Sequence, residues 1–147
     1  MSNPYQGGCE HVHAKATAEP IDNHVCHCNV CKSVTGQQTT QVAFFNHGDL
    51  EIDHPEKLSR QPFNADNPDG PLELCTCSEC GAAIMLDDKE KRIRVAVPNV
   101  MGYDVPAFPE ASYHAFYDES KGYAKPSDGR PVYEGLRPDF VWPQSAA

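Results

Sequence analysis

Cys26, Cys28 and Cys31 fall within six consecutive positions of "VCHCNVCKSVTG" (25–36). Three thiols at C-x-C-x-x-C spacing can all reach one thiophilic ion from a short turn, and a thiolate is both a metal ligand and a nucleophile. The chain has seven cysteines, an odd number. The other four are Cys9, with His11 two residues on, and the group Cys75, Cys77 and Cys80 in "CTCSECG". C-x-x-C followed by Gly81 is the spacing of a tight metal-binding turn. Two C-x-x-C pairs, each preceded by a further cysteine, point to zinc or a similar ion before they point to disulfides.

Four-coordinate closure limits how these donors are shared. Cys9, His11, Cys77 and Cys80 make a closed Cys₃His set. Cys26, Cys28 and Cys31 then form a second set with three protein donors and one open position. A rival allocation joins Cys75, Cys77 and Cys80 to one histidine and leaves Cys9 spare. Closed sites are structural, while a three-donor site keeps room for water or substrate. Three thiolates on one zinc ion leave a net negative charge, which favours exchange of an incoming thiolate over hydrolysis.

Short strands must position these donors. The chain has 147 residues, 13 prolines and 10 glycines spread throughout, which disfavours long helices. "HVHAKATA" (11–18) alternates, with Val12, Ala14, Ala16 and Ala18 on one face. "QVAFF", "LEI", "LELCT", "AIML", "RIRVAV" and "SYHAFY" are short and apolar or alternating. "NVCKSVTG" is the best helical turn, and "FNADNPDGPLE" (63–73) and "YDVPAFPEAS" (103–112) are long loops. These features predict one mainly β domain over 5–135, with long loops around its metal sites and a C-terminal tail over 136–147.

The net charge of −9 argues against nucleic acid or an anionic membrane as partner. No stretch approaches the roughly 20 apolar residues of a membrane span, and "MSNPYQGGCEHVHAKATAEP" has no apolar signal region. The expectation is a cytoplasmic protein. Its sparser signals read as support. His27 points away from its flanking ligands. His24, His47 and His54 read as surface residues, and His114 as a satisfied core or pocket residue. Cys75 is a buried small residue or a neighbour of the structural ion. "KEKRIRV" (89–95) reads as a solvated strand edge. Phe44, Phe45, Phe116 and Tyr117 read as core, and Trp142 as a cap on the core or on a partner.

"GGCEH", then "CHCNVCKSVTG", then "CSECG" resemble the motifs of the glutathione-dependent formaldehyde-activating family, which includes centromere protein V. The likeness extends weakly into "ASYHAFY" and "SDGRPVYEG" and covers roughly residues 5–135. The resemblance implies a β-tent fold of short antiparallel strands with two zinc ions. Its structural site falls on Cys9, His11, Cys77 and Cys80, and its catalytic site on Cys26, Cys28 and Cys31. It also implies a carbon–sulfur lyase or synthase acting on a small-molecule thiol and an electrophile, with glutathione and formaldehyde as the model pair. His11 stands where the family has cysteine, and Lys32 where it often has arginine. A non-catalytic two-zinc protein-binding module and a redox sensor are the competing functions.

Overall fold

The computed structural model describes residues 5–27, 40–63, 68–98, 101–103, 111–117 and 128–143. Cys28, Cys31 and Lys32, the helical turn expected over 29–36, part of the loop over 63–73 and most of that over 103–112 lie outside these residues. The described architecture is mainly β. Among the described residues ten strands occur: β1 (Gln6–Gly8), β2 (His13–Ala16), β3 (Asp22–Cys26), β4 (Thr40–Asn46), β5 (Leu50–Ile52), β6 (Leu58–Pro62), β7 (Leu72–Cys77), β8 (Ala83–Asp88), β9 (Ile93–Ala96) and β10 (Tyr113–Ala115). The helical elements among the described residues are two single 3₁₀ turns, His47–Asp49 and Pro55–Lys57.

The strands form two sheets. The smaller has the order β1-β2-β5, and the larger β10-β3-β4-β9-β8-β7-β6. Neighbours are antiparallel except β10, which runs parallel to β3. Antiparallel pairing was the expectation throughout. The parallel edge arises because β10 returns to β3 from 87 residues away in sequence (His27 to His114) rather than through a hairpin. The smaller sheet lies against β8 through β1 and β2.

Side-chain alternation builds the core. Val12, Ala14 and Ala16 are buried along β2, with the intervening His13 and Lys15 exposed, while Ala18 lies past the strand and is exposed. Phe45, Leu50, Ile84, Met85, Ile93 and Val95 are fully buried between the layers. "KEKRIRV" is not a sheet edge: β9 lies inside the larger sheet between β4 and β8. Its arginines are tolerated there because acidic partners sit across the hairpin. Arg94 Nε donates to Asp87 at 3.2 Å, and Arg60 Nη1 donates to the same carboxylate at 2.8 Å. His47, expected to be solvated, also joins Asp87 at 3.1 Å, and burial lowers its pKa.

Asp88 closes the β8–β9 turn. Its side chain is fully buried and accepts hydrogen bonds from the Glu90 and Arg92 amides and from Arg92 Nε. Burial pushes its pKa up, but the Arg92 guanidinium and these amides outweigh that and hold it below the ordinary carboxylate value. A depressed folded-state pKa contributes stability above the unfolded value, near pH 4, and loses it as pH falls through the folded value. Asp88→Ala is expected to cost about 2 kcal/mol at pH 7, through the donors it strands. Urea unfolding at pH 7 and pH 3 should show the gap between variant and wild type narrowing in acid. An equal gap at both would exclude the ionised carboxylate as the cause.

Candidate metal centre

The β7–β8 hairpin supplies two thiols. Cys77 ends β7, and Gly81 in the turn adopts φ +78°, a left-handed conformation that glycine reaches without a Cβ penalty. Gly81 N donates to the Cys77 carbonyl and Cys77 N to the Ala82 carbonyl, each at 2.8 Å. The third thiol comes from the smaller sheet. Gly8 has φ +104°, and a Cβ there would meet the Val12 carbonyl oxygen at 2.2 Å, so no other residue fits this corner. The corner turns the chain into a Cys9 N to Val12 O hydrogen bond of 2.9 Å and points Cys9 at the hairpin.

The Sγ atoms of Cys9, Cys77 and Cys80 lie within 4.8 Å of one another. Tetrahedral zinc–thiolate bonds of about 2.3 Å place sulfurs about 3.8 Å apart, so this donor set fits a thiophilic ion. Burial opposes ionisation of Cys77, but the amides of Cys80 and Glu79 and the thiols of Cys80 and Cys9 outweigh it and lower its pKa. A thiol that ionises readily is a ready ligand. Among the described residues this is the one group of three such donors.

His11 is outside that group. Its Nδ1 lies 3.2 Å from Glu79 Oε2, and Glu79, between the two hairpin cysteines, also pairs with Lys57 Nζ at 3.4 Å. Cys75 is outside it too, so the rival set of Cys75, Cys77 and Cys80 is not assembled. Cys75 is fully buried on β7, and burial pushes its thiol up to about 11, with Arg60 pulling the other way. It is an inert core residue in this setting.

Cys26 ends β3 and is buried, apart from the Cys9 cluster. It pairs with Thr40 on β4 and Ala115 on β10. Asp22, His24 and Cys26 share one face of β3. His24 is 1% exposed, against the surface position expected of it. The reason is a buried polar cluster that sequence reading missed. Asp22 Oδ2 lies 2.8 Å from His24 Nδ1 and accepts from Tyr113 Oη at 2.7 Å, while Arg137 Nε donates to Asp22 Oδ1 at 2.8 Å. Burial raises the Asp22 pKa, but His24, Arg137 and Tyr113 reverse this and hold it low.

On the opposite face a second polar chain begins. His27 Nε2 lies 3.0 Å from His114 Nδ1, and His114 Nε2 lies 2.9 Å from Asp128 Oδ2. Both histidines are buried. The place of His27 between two cysteines in "CHC" pointed its ring away from them, but nothing in the sequence named Asp128 as the end of the chain.

The chain matches the model of the glutathione-dependent formaldehyde-activating enzyme family over residues 5–119. Among solved structures, a Rhodobacter sphaeroides protein is similar, at 16% identity, with 72% of this chain and 96% of that chain covered and a TM-score of 0.49. No curated protein matches.

The metal assignment has a direct check. Cys9→Ser should lower the zinc content by about one ion per chain, and Cys75→Ala should leave it unchanged. Elemental analysis of the two purified variants measures this. Loss of zinc in Cys75→Ala would restore the rival allocation.

Proposed function

We propose, for a chain that belongs to the glutathione-dependent formaldehyde-activating enzyme family, that it is a zinc-dependent carbon–sulfur lyase or synthase. It makes or cleaves an adduct between a glutathione-like thiol and a small aldehyde or similar electrophile. The observation that carries the reading is the separation of the thiols. Cys9, Cys77 and Cys80 gather on their own, and Cys26 stands apart at the end of β3. This leaves Cys26 to act with Cys28 and Cys31, its neighbours in sequence, as a second, three-cysteine site.

At the outer site we assign a structural ion, with His11 as fourth donor. A carboxylate on one imidazole nitrogen commonly supports metal binding by the other, and Glu79 holds His11 Nδ1. At the second site Cys26, Cys28 and Cys31 would hold a zinc ion, which would favour an incoming thiol as thiolate and polarise an aldehyde oxygen. The thiolate sulfur adds to the aldehyde carbon, and the proton given up by the thiol ends on the former carbonyl oxygen. Cleavage is the reverse: the carbon–sulfur bond breaks as the hydroxyl loses its proton.

The protein's part is placement. Cys26 is held by pairing on both sides of β3, and the His27 ring is fixed from behind by His114 and Asp128. Cys9, Cys75, Cys77 and Cys80 are not in disulfides, which suits a reducing compartment such as the cytoplasm.

Cys28→Ser is expected to reduce carbon–sulfur adduct turnover by at least about 100-fold, a loss of roughly 2.7 kcal/mol in transition-state stabilisation, with circular dichroism and the outer zinc retained. Proton NMR of glutathione–formaldehyde exchange provides the rate. Activity near that of wild type in this variant would contradict the reading.

A further inference from the structure

Residues 136–143 were expected to begin a tail, yet they lie against the larger sheet, beyond the stretch 5–119 that carries the family match. Their footing is on three neighbouring strands. Arg137 Nε donates to Asp22 Oδ1 on β3 at 2.8 Å. The rings of Phe140 and Trp142 stand 5.8 Å and 6.1 Å from the Phe44 ring on β4. The Arg92 guanidinium, just before β9, covers the Trp142 ring at 4.4 Å. Asp22 and Phe44 are directly paired across β3 and β4, so they share one face of the sheet. The segment covers both there, and both are buried.

Side chains make this attachment. Among the described residues the one backbone–backbone hydrogen bond of 136–143 is internal, from Phe140 N to Arg137 O at 3.0 Å. Pro138, Asp139 and Val141 are exposed, and Leu136 and Phe140 are half-buried. A segment with so little burial and no ladder bonds opens at a lower free energy than the sheet beneath it. The residues just before it are anchored differently. His114 N donates to Pro131 O at 2.8 Å, Tyr133 N to His114 O at 2.9 Å and Tyr117 N to Tyr133 O at 3.1 Å. The change from backbone anchoring to side-chain anchoring falls at Gly135, which makes it the hinge.

The Arg137 contact is lopsided. The Asp22 side chain is 0% exposed and that of Arg137 is 29% exposed. Asp22 Oδ2 keeps Tyr113 Oη at 2.7 Å and His24 Nδ1 at 2.8 Å whether or not Arg137 is present. A cavity of about 430 Å³, bounded by Glu19, Ile21, Asp22, Ser112 and Arg137, flanks the contact. Water therefore has room to take the place of the guanidinium.

We propose that residues 136–143 are a detachable strap. They swing as a unit about Gly135, with Arg137 as the clip, and uncover Asp22 and Phe44 while both sheets stay folded.

Trp142 is the only tryptophan in the chain and sits on the strap. Urea titration of the full-length protein as purified, read in parallel by tryptophan emission and far-ultraviolet circular dichroism, separates strap from sheet. The emission should shift to the red with a midpoint at least about 1 M below that of the circular dichroism. Coincident midpoints would overturn the proposal, because the segment would then belong to one cooperative fold. Phe140→Ala weakens the strap without stranding a charge. In native buffer it should raise the acrylamide quenching constant of Trp142 at least about twofold and leave the circular dichroism unchanged. An unchanged constant, or loss of the sheet signal, would overturn the proposal. Arg137→Gln should raise the constant to the same extent. A folded Arg137→Gln variant with the wild-type constant would remove Arg137 as the clip, and an unfolded one would show that opening the clip opens the fold; either result contradicts the proposal.

Discussion

The fold depends on tying two small sheets together. No described strand exceeds seven residues, and the described helical elements are 3₁₀ turns, so regular backbone pairing alone gives limited cohesion. The Cys9, Cys77 and Cys80 thiols close this gap at one point, joining the corner after β1 to the end of β7. Everything about the corner serves that meeting. Gly8 takes a conformation that other residues reject, Gly102 lets the chain pass against the Gly8 backbone, and Gly81 tightens the hairpin. An ion in this donor set would contribute to folding directly, as structural zinc does in other small domains.

With the sheets joined, β3 carries two buried polar networks. One face of it is lined by Asp22, His24 and Cys26, and the other leads to His27 and on to His114 and Asp128. Burying so many polar groups is costly unless each finds a partner. Here the carboxylate of Asp22 is met by three donors or partners, and the imidazoles of His27 and His114 meet each other. Such satisfied networks fix side-chain positions more firmly than apolar contact does.

The C-x-x-C spacing made the pairing of Cys77 and Cys80 in one thiol cluster legible, because such geometry acts over two or three residues. Alternation exposed β2, β4, β7, β8 and β9 for the same reason. β3 was harder to see. "DNHVC" is polar at three of five positions and reads as surface, because its partners Tyr113 and Arg137 lie about 90 and 115 residues away. Local pattern cannot show a polar residue satisfied by a distant one. β9 was placed at an edge by its charges, although Asp87 and Asp88 neutralise them across one turn. Phe116, 37% exposed, read as core because composition reports side chains and not its φ of +58°.

The central claim is that a thiol can reach an open coordination position at the second cysteine set. The most direct measurement is a glutathione titration of the cobalt-substituted protein, followed by thiolate-to-cobalt charge-transfer absorbance. A fourth sulfur entering a three-thiolate site should raise that absorbance saturably, by about the share of one added thiolate. A spectrum unchanged at saturating glutathione would mean that no such position is open, and would contradict the account.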